Sequence, residues 1–183
     1  MATASKKDST GICFIGERNF KVFKSGYLPA QKGDMETFNG KVAGQHDGIM
    51  YYTIGSRHGL GIGGAGEPWF GIRKDIARNV LYVEQGLHHE MLYSDSIISD
   101  NVSWISNEFI GVTFECTAKF RYRQLDNKVT VERLDTSRVK VIFHEPIRAI
   151  TPGQAVVFYQ GEGCLGGGTF NQVYRDNELT YVG

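Results

Sequence analysis

Val112-Thr113-Phe114-Glu115-Cys116-Thr117-Ala118-Lys119-Phe120-Arg121-Tyr122-Arg123 is the stretch whose reading decides the fold. Successive side chains of a strand point to opposite faces. Phe114, Cys116, Ala118, Phe120 and Tyr122 therefore share one face, with Glu115, Thr117, Lys119, Arg121 and Arg123 on the other. One apolar face at period two predicts a strand that covers a core on one side only. Segments 129–134, 138–143 and 154–160 continue in the same way, separated by Asp135-Thr136-Ser137 and by Pro146 and Pro152-Gly153. Short strands divided by turns predict a small antiparallel β-barrel over residues 88–183.

Upstream the pattern changes. Phe20 and Phe23, with Tyr27 beyond, are spaced by three and four and predict a helix over 17–25 that stops at Gly26. Lys32-Gly33-Asp34 reads as a turn before the short segment 35–38, and Asn39-Gly40 after it is a strong hairpin signal. Further short strands are predicted over 48–54, 69–73 and 80–85. The expected division is a linker and helix over 1–26, a small helix-plus-β central domain completed by 27–87, and the barrel over 88–183.

Composition supports a mainly β chain. The 23 glycines in 183 residues are near twice the usual share of about 7%, which favours short strands and tight turns over helices. With 41% hydrophobic residues and no net charge, the chain is not of the disordered class. The 20 basic residues are balanced by 20 acidic ones, so any basic surface must be local. No apolar run approaches the roughly 20 residues that cross a bilayer, and Met1 to Asp8 is polar. A cytoplasmic protein with no membrane partner is expected.

Several motifs bear on chemistry. Gly61-Ile62-Gly63-Gly64-Ala65-Gly66 spells a dinucleotide fingerprint, but Glu67-Pro68-Trp69 follows, where that motif must open a helix. It reads as a structural or recognition loop. His88-His89-Glu90 places neighbours on opposite faces of an extended chain, which is poor metal geometry, so no metal is expected. Cys116 falls on an apolar strand face, and Cys164 sits among glycines with no basic neighbour; both read as structural. Cys13 precedes the predicted helix and Arg18. A helix N-terminus and a cation would favour its thiolate, but its spacing alone favours a small buried thiol between Ile12 and Phe14. Lys119, Arg121 and Arg123, interleaved with aromatic rings, form a face able to neutralise phosphates and stack on a base. The same stripe also fits a solvated barrel wall.

Taken together, these words of sequence resemble the bacterial tRNA-specific 2-thiouridylases. The resemblance rests on Asp8-Ser9-Thr10-Gly11-Ile12-Cys13-Phe14-Ile15-Gly16-Glu17-Arg18, Met50-Tyr51-Tyr52-Thr53-Ile54-Gly55, and Gly59-Leu60-Gly61-Ile62-Gly63-Gly64. It continues through Cys116-Thr117-Ala118-Lys119, Arg121-Tyr122-Arg123-Gln124, Ala149-Ile150-Thr151-Pro152-Gly153-Gln154 and Cys164-Leu165-Gly166-Gly167-Gly168. It implies transfer of sulfur to C2 of the wobble uridine in the tRNA anticodon arm, after ATP (with Mg) has adenylated the 2-oxygen. It implies that Cys13 carries the persulfide, loaded by a sulfur-relay protein or cysteine desulfurase, and that a second cysteine releases the sulfur through a disulfide. By the same resemblance Arg121, Tyr122 and Gln154 contact tRNA, and Lys119 and Arg123 join as phosphate neighbours. The barrel would resemble domain 2 of translation elongation factors.

Two departures from the family pattern stand out. Ser56-Arg57-His58 replaces the usual Gln-Arg-Lys, and no Ser-Gly-Gly-x-Asp-Ser loop for ATP occurs. The expected protein is thus the C-terminal portion of such an enzyme, inactive alone and without a cofactor of its own. Two alternatives are a non-catalytic RNA-binding module of translation-factor type and, from an older label of the family, a methyltransferase. The latter lacks a glycine-rich strand-to-helix turn for a methyl donor.

Overall fold

The computed structural model describes residues 30–105, 111–121 and 124–182. The helix expected over 17–25, Cys13, Tyr122 and Arg123 lie outside the described residues.

Two sheets follow one another along the chain. The first holds β1 (Gly33–Glu36), β2 (Val42–His46), β3 (Trp69–Asp75) and β4 (Val80–Gln85), in the order β2-β1-β4-β3. The β1–β2 hairpin turns at Gly40, whose φ of 82° suits the Asn-Gly signal. Met35, Leu81 and Val83 fill the interior of this unit.

Two expectations are corrected here. Lys32-Gly33-Asp34 is no turn, because Gly33 opens β1; a side chain there would strike the Asn79 carbonyl at 2.1 Å. No strand forms over 48–54. Gly48 adopts φ 148° and Ile49–Tyr51 makes a single 3-10 turn. Ile49, Tyr52 and Ile54 are still buried, and Tyr52 joins the core beside Met35 and Leu81.

The second sheet closes on itself. It comprises β5 (Tyr93–Trp104), β6 (Thr113–Lys119), β7 (Asn127–Arg133), β8 (Val139–Arg148), β9 (Gln154–Gln160), β10 (Gly163–Arg175) and β11 (Glu178–Val182). The order β11-β10-β5-β8-β7-β6-β9 gains a β10–β9 pairing, so six antiparallel strands form a barrel and β11 adds to its outside. The interior follows the period-two pattern. Val129 and Val131, Val139 and Val141, and Phe158 are each at most 1% exposed. Ala118 and Phe120 also point inward, with Phe114 and Cys116 partly buried against the same core.

The barrel's strands also depart from expectation. β6 stops at Lys119 instead of running to Arg123. β8 runs on through Pro146 to Arg148. Its register with β5 jumps from Ser96↔Ile142 to Ser94↔Ile147, a bulge that lets the proline sit where no ladder donor is needed. β5, β10 and β11 carry no clear period-two apolar pattern.

Candidate nucleic-acid interface

The basic end of β6 is built differently from a simple cationic stripe. Lys119 Nζ lies 3.1 Å from Asp126 Oδ1 and 5.5 Å from the Tyr159 ring centroid. Its charge is compensated across the β6–β7 connection. Phe120 N donates to Gln124 Oε1 at 3.0 Å and Gln124 N to the Arg121 carbonyl at 3.2 Å. These bonds turn the chain out of the strand. Arg121 therefore does not continue Lys119's row.

Arg121 instead reaches the segment between β8 and β9. Its Nη2 donates to the Ala149 carbonyl, which also accepts from Thr151 Oγ1 at 3.4 Å. Lost solvation, and then the nearby Arg148 guanidinium, hold the Arg121 pKa below the ordinary arginine value, although the residue as a whole remains exposed. It stays protonated at neutral pH, because arginine starts so far above it. Arg148 donates from Nε to the Leu87 carbonyl at 3.0 Å and from Nη2 to the Gly55 carbonyl at 3.4 Å. Its guanidinium sits 5.2 Å from the Phe70 ring centroid. It thereby ties the barrel to the first sheet.

Gln154 opens β9, and among the described residues its buried Oε1 has no hydrogen-bond partner. Buried acceptors are nearly always satisfied, so this atom stands out. The register Lys119↔Val157 puts Gln154 at the Arg121 end of β9. The structure thus brings Arg121 and Gln154 to one end of the barrel, together with Arg148, which the sequence reading missed. The available signal was an isolated cation inside the apolar run Ile147-Arg148-Ala149-Ile150.

The remaining motifs fall elsewhere. The 61–66 glycine loop leads directly into β3 and not into a helix, so it does not fit a nucleotide's phosphates. His88 Nδ1 meets the Tyr93 hydroxyl at 3.2 Å, while His89 Nδ1 accepts from Met91 N at 3.3 Å; the two rings serve separate partners. His46 is buried between Asn79 O and Gly48 N. Cys116 and Cys164 are both free thiols.

Burial pushes the Cys116 thiol up to about 11. Since the folded state holds the proton more tightly, the associated stability is present below the ordinary thiol pKa and is lost as pH rises toward about 11. Cys116 should resist iodoacetamide at pH 8 under conditions that modify the exposed Cys164. Peptide mapping checks this; equal labelling would contradict the burial.

Two clefts are lined by carboxylates. One of about 410 Å³ carries Glu90, Asp176 and Glu178 against Arg73 and Arg175. A second of about 630 Å³ carries Glu90, Asp95, Glu145 and Asp176 against Arg175. Carboxylates outnumber arginines in both, which disfavours a polyanion. Zero net charge conceals an acidic side and a basic end. No helix among the described residues is long and apolar enough to cross a membrane.

Comparison with known proteins gives the following. Residues 21–85 match the family model "tRNA methyl transferase PRC-barrel domain", and residues 94–170 match "Aminomethyltransferase beta-barrel domain". The chain is 64% identical to the tRNA-specific 2-thiouridylase MnmA of Bacillus thuringiensis (strain Al Hakam), over 100% of this chain and 50% of that protein. It is also 64% identical to the Bacillus cereus (strain Q1) protein of the same name, with the same coverage. For the Bacillus anthracis protein the identity is 64% over 97% of this chain and 48% of that one. The chain spans about half the length of the curated relatives it matches.

Proposed function

Given that this chain belongs to the tRNA-specific 2-thiouridylase family, we propose that it forms the tRNA-holding, C-terminal half of such an enzyme. In this reading the barrel, of the kind seen as domain 2 of translation elongation factors, grips the anticodon arm at the Arg121–Gln154 end. Cys13 carries the persulfide that delivers sulfur. ATP (with Mg), bound and spent outside the described residues, supplies the leaving group on the uridine 2-oxygen. The terminal sulfur of the Cys13 persulfide then forms the new bond to C2 as that oxygen departs with AMP. A second cysteine thiolate attacks the remaining S–S bond, leaving it in a disulfide with Cys13 and the sulfur on the base. A sulfur-relay protein or cysteine desulfurase in the cytoplasm would reload Cys13.

The observation that carries the RNA reading is the pair of neighbouring cations Arg121 and Arg148 at the barrel end where Gln154 opens β9. Among the described residues Arg121 donates to one neutral carbonyl, leaving the rest of its fork for a phosphate. Tyr122, Lys119 and Arg123 complete the proposed surface, Lys119 more weakly because Asp126 neutralises it. Arg121→Ala should weaken binding of an anticodon-arm RNA and reduce the slope of log Kd against log salt by about one. Fluorescence anisotropy at several salt concentrations measures both. An unchanged slope would make Arg121 ordinary surface.

A further inference from the structure

We propose that the cleft between the first sheet and the barrel is a second phosphodiester subsite for the same RNA, formed by Arg57 and Arg148 with His58 at its edge. The inference rests on the RNA-binding reading above and extends it to the first sheet.

The cleft measures about 480 Å³, and its lining includes Ser56, Arg57, His58, Phe70 and Arg148 but no carboxylate. This sets it apart from the two acidic clefts. Among the described residues Arg57 is exposed and has no carboxylate partner. Every contact recorded for the Arg148 guanidinium is with a neutral group: two backbone carbonyls and the Phe70 ring. Arg121 adds a third cation, since its contact to the Ala149 carbonyl sets it one residue from Arg148 along the chain. Arg57 and Arg148 thus share a cleft whose lining holds no carboxylate, and Arg121 lies outside that lining but close enough to Arg148 to feel its charge. An anion there relieves their mutual repulsion and gains charge-assisted hydrogen bonds.

The loop bearing Arg57 is fixed beforehand. Gly55 N donates to the Gly71 carbonyl at 2.7 Å and Gly71 N to the Ser56 carbonyl at 3.1 Å, while Ser56 Oγ accepts from His58 N at 3.2 Å. Gly55 itself has φ 78°, and a side chain there would lie 2.4 Å from Ala149 Cβ. Close approach of the two units at that glycine places Arg57's loop beside Arg148. An RNA backbone crossing Arg121 would continue into the cleft, so a single strand would engage both units.

The test uses the whole chain with Arg57→Ala and Arg57→Lys, and a labelled anticodon-arm RNA, in anisotropy titrations over a range of salt. Arg57→Ala should weaken binding about threefold to tenfold and lower the salt slope by about one. Arg57→Lys should keep the slope, because the phosphate needs the charge. If Arg57→Ala matches the unsubstituted chain while Arg121→Ala still weakens binding, the cleft subsite is wrong and the barrel interface stands. If the folded, unsubstituted chain binds no RNA, both fall. ATP is the second arm. If ATP binds the unsubstituted chain but not Arg57→Ala, while RNA binds both equally, the cleft takes a nucleotide phosphate and the RNA assignment is overturned.

Discussion

A chain carrying Gly166→Ala should lose about 2–5 kcal/mol of stability, seen as a lower urea midpoint. Gly166 adopts φ 153°, and a Cβ there would lie 2.3 Å from the Ser103 carbonyl oxygen and 3.0 Å from Trp104. That oxygen belongs to β5, which is paired to β10, so neither strand can move without opening the barrel. Gly167 and Gly168 are similarly crowded, by Val156 O at 2.6 Å and Ser99 Oγ at 2.7 Å. β10 is paired on both sides, to β5 and β9, and glycine permits that closure. A domain holds only about 5–15 kcal/mol in all, so the loss should also abolish RNA binding near the unfolding midpoint. Gly161→Ala is the control. Gly161 has φ 58° and open space around it, so only backbone strain of about 1–2 kcal/mol applies. Equal midpoints for the two variants would contradict this account of β10.

Joined to the remaining half of a thiouridylase, a Cys13→Ala chain should form no 2-thiouridine while binding tRNA as before. No other side chain here replaces the sulfur that Cys13 would hold. The Cys116 thiol is pushed up to about 11 by burial, which leaves it neutral and poorly nucleophilic near pH 7. Cys164 lies at the β9–β10 hairpin, on the barrel. Nucleoside analysis of the reacted tRNA measures the product. Sustained thiolation would remove Cys13 from the mechanism and favour the rival reading, an RNA-binding module indifferent to that substitution.

The barrel was legible where inward positions are apolar. Val129, Val131, Val139, Val141 and Phe158 announce their strands by alternation alone. β5 was hidden because Ser94, Ser96 and Ser99 occupy buried positions. The Ser99 hydroxyl is satisfied by the Thr169 carbonyl at 2.9 Å, a partner visible only once β10 is in place. β10 was hidden by Gly166-Gly167-Gly168, which reads locally as a loop, though the crowding between neighbouring strands demands glycine. At the proposed site, Arg121 and Gln154 enter through family resemblance; the strand pattern that also singled out Arg121 put it in Lys119's row, whereas β6 ends at Lys119. Two features take their meaning from tertiary partners. Asp126 neutralises Lys119 across a hairpin, and Arg148 gains its role only from contact with Gly55, Phe70 and Leu87 on the other unit. Both are products of tertiary assembly.

The central claim is that RNA meets the barrel at the end holding Arg121 and Gln154. Ultraviolet cross-linking of the chain to an anticodon-arm RNA, followed by peptide mass spectrometry, tests it most directly. Cross-links should concentrate on peptides covering 119–124 and 149–154. Cross-links concentrated instead on the acidic side, around Glu90, Glu145 and Asp176, would contradict it.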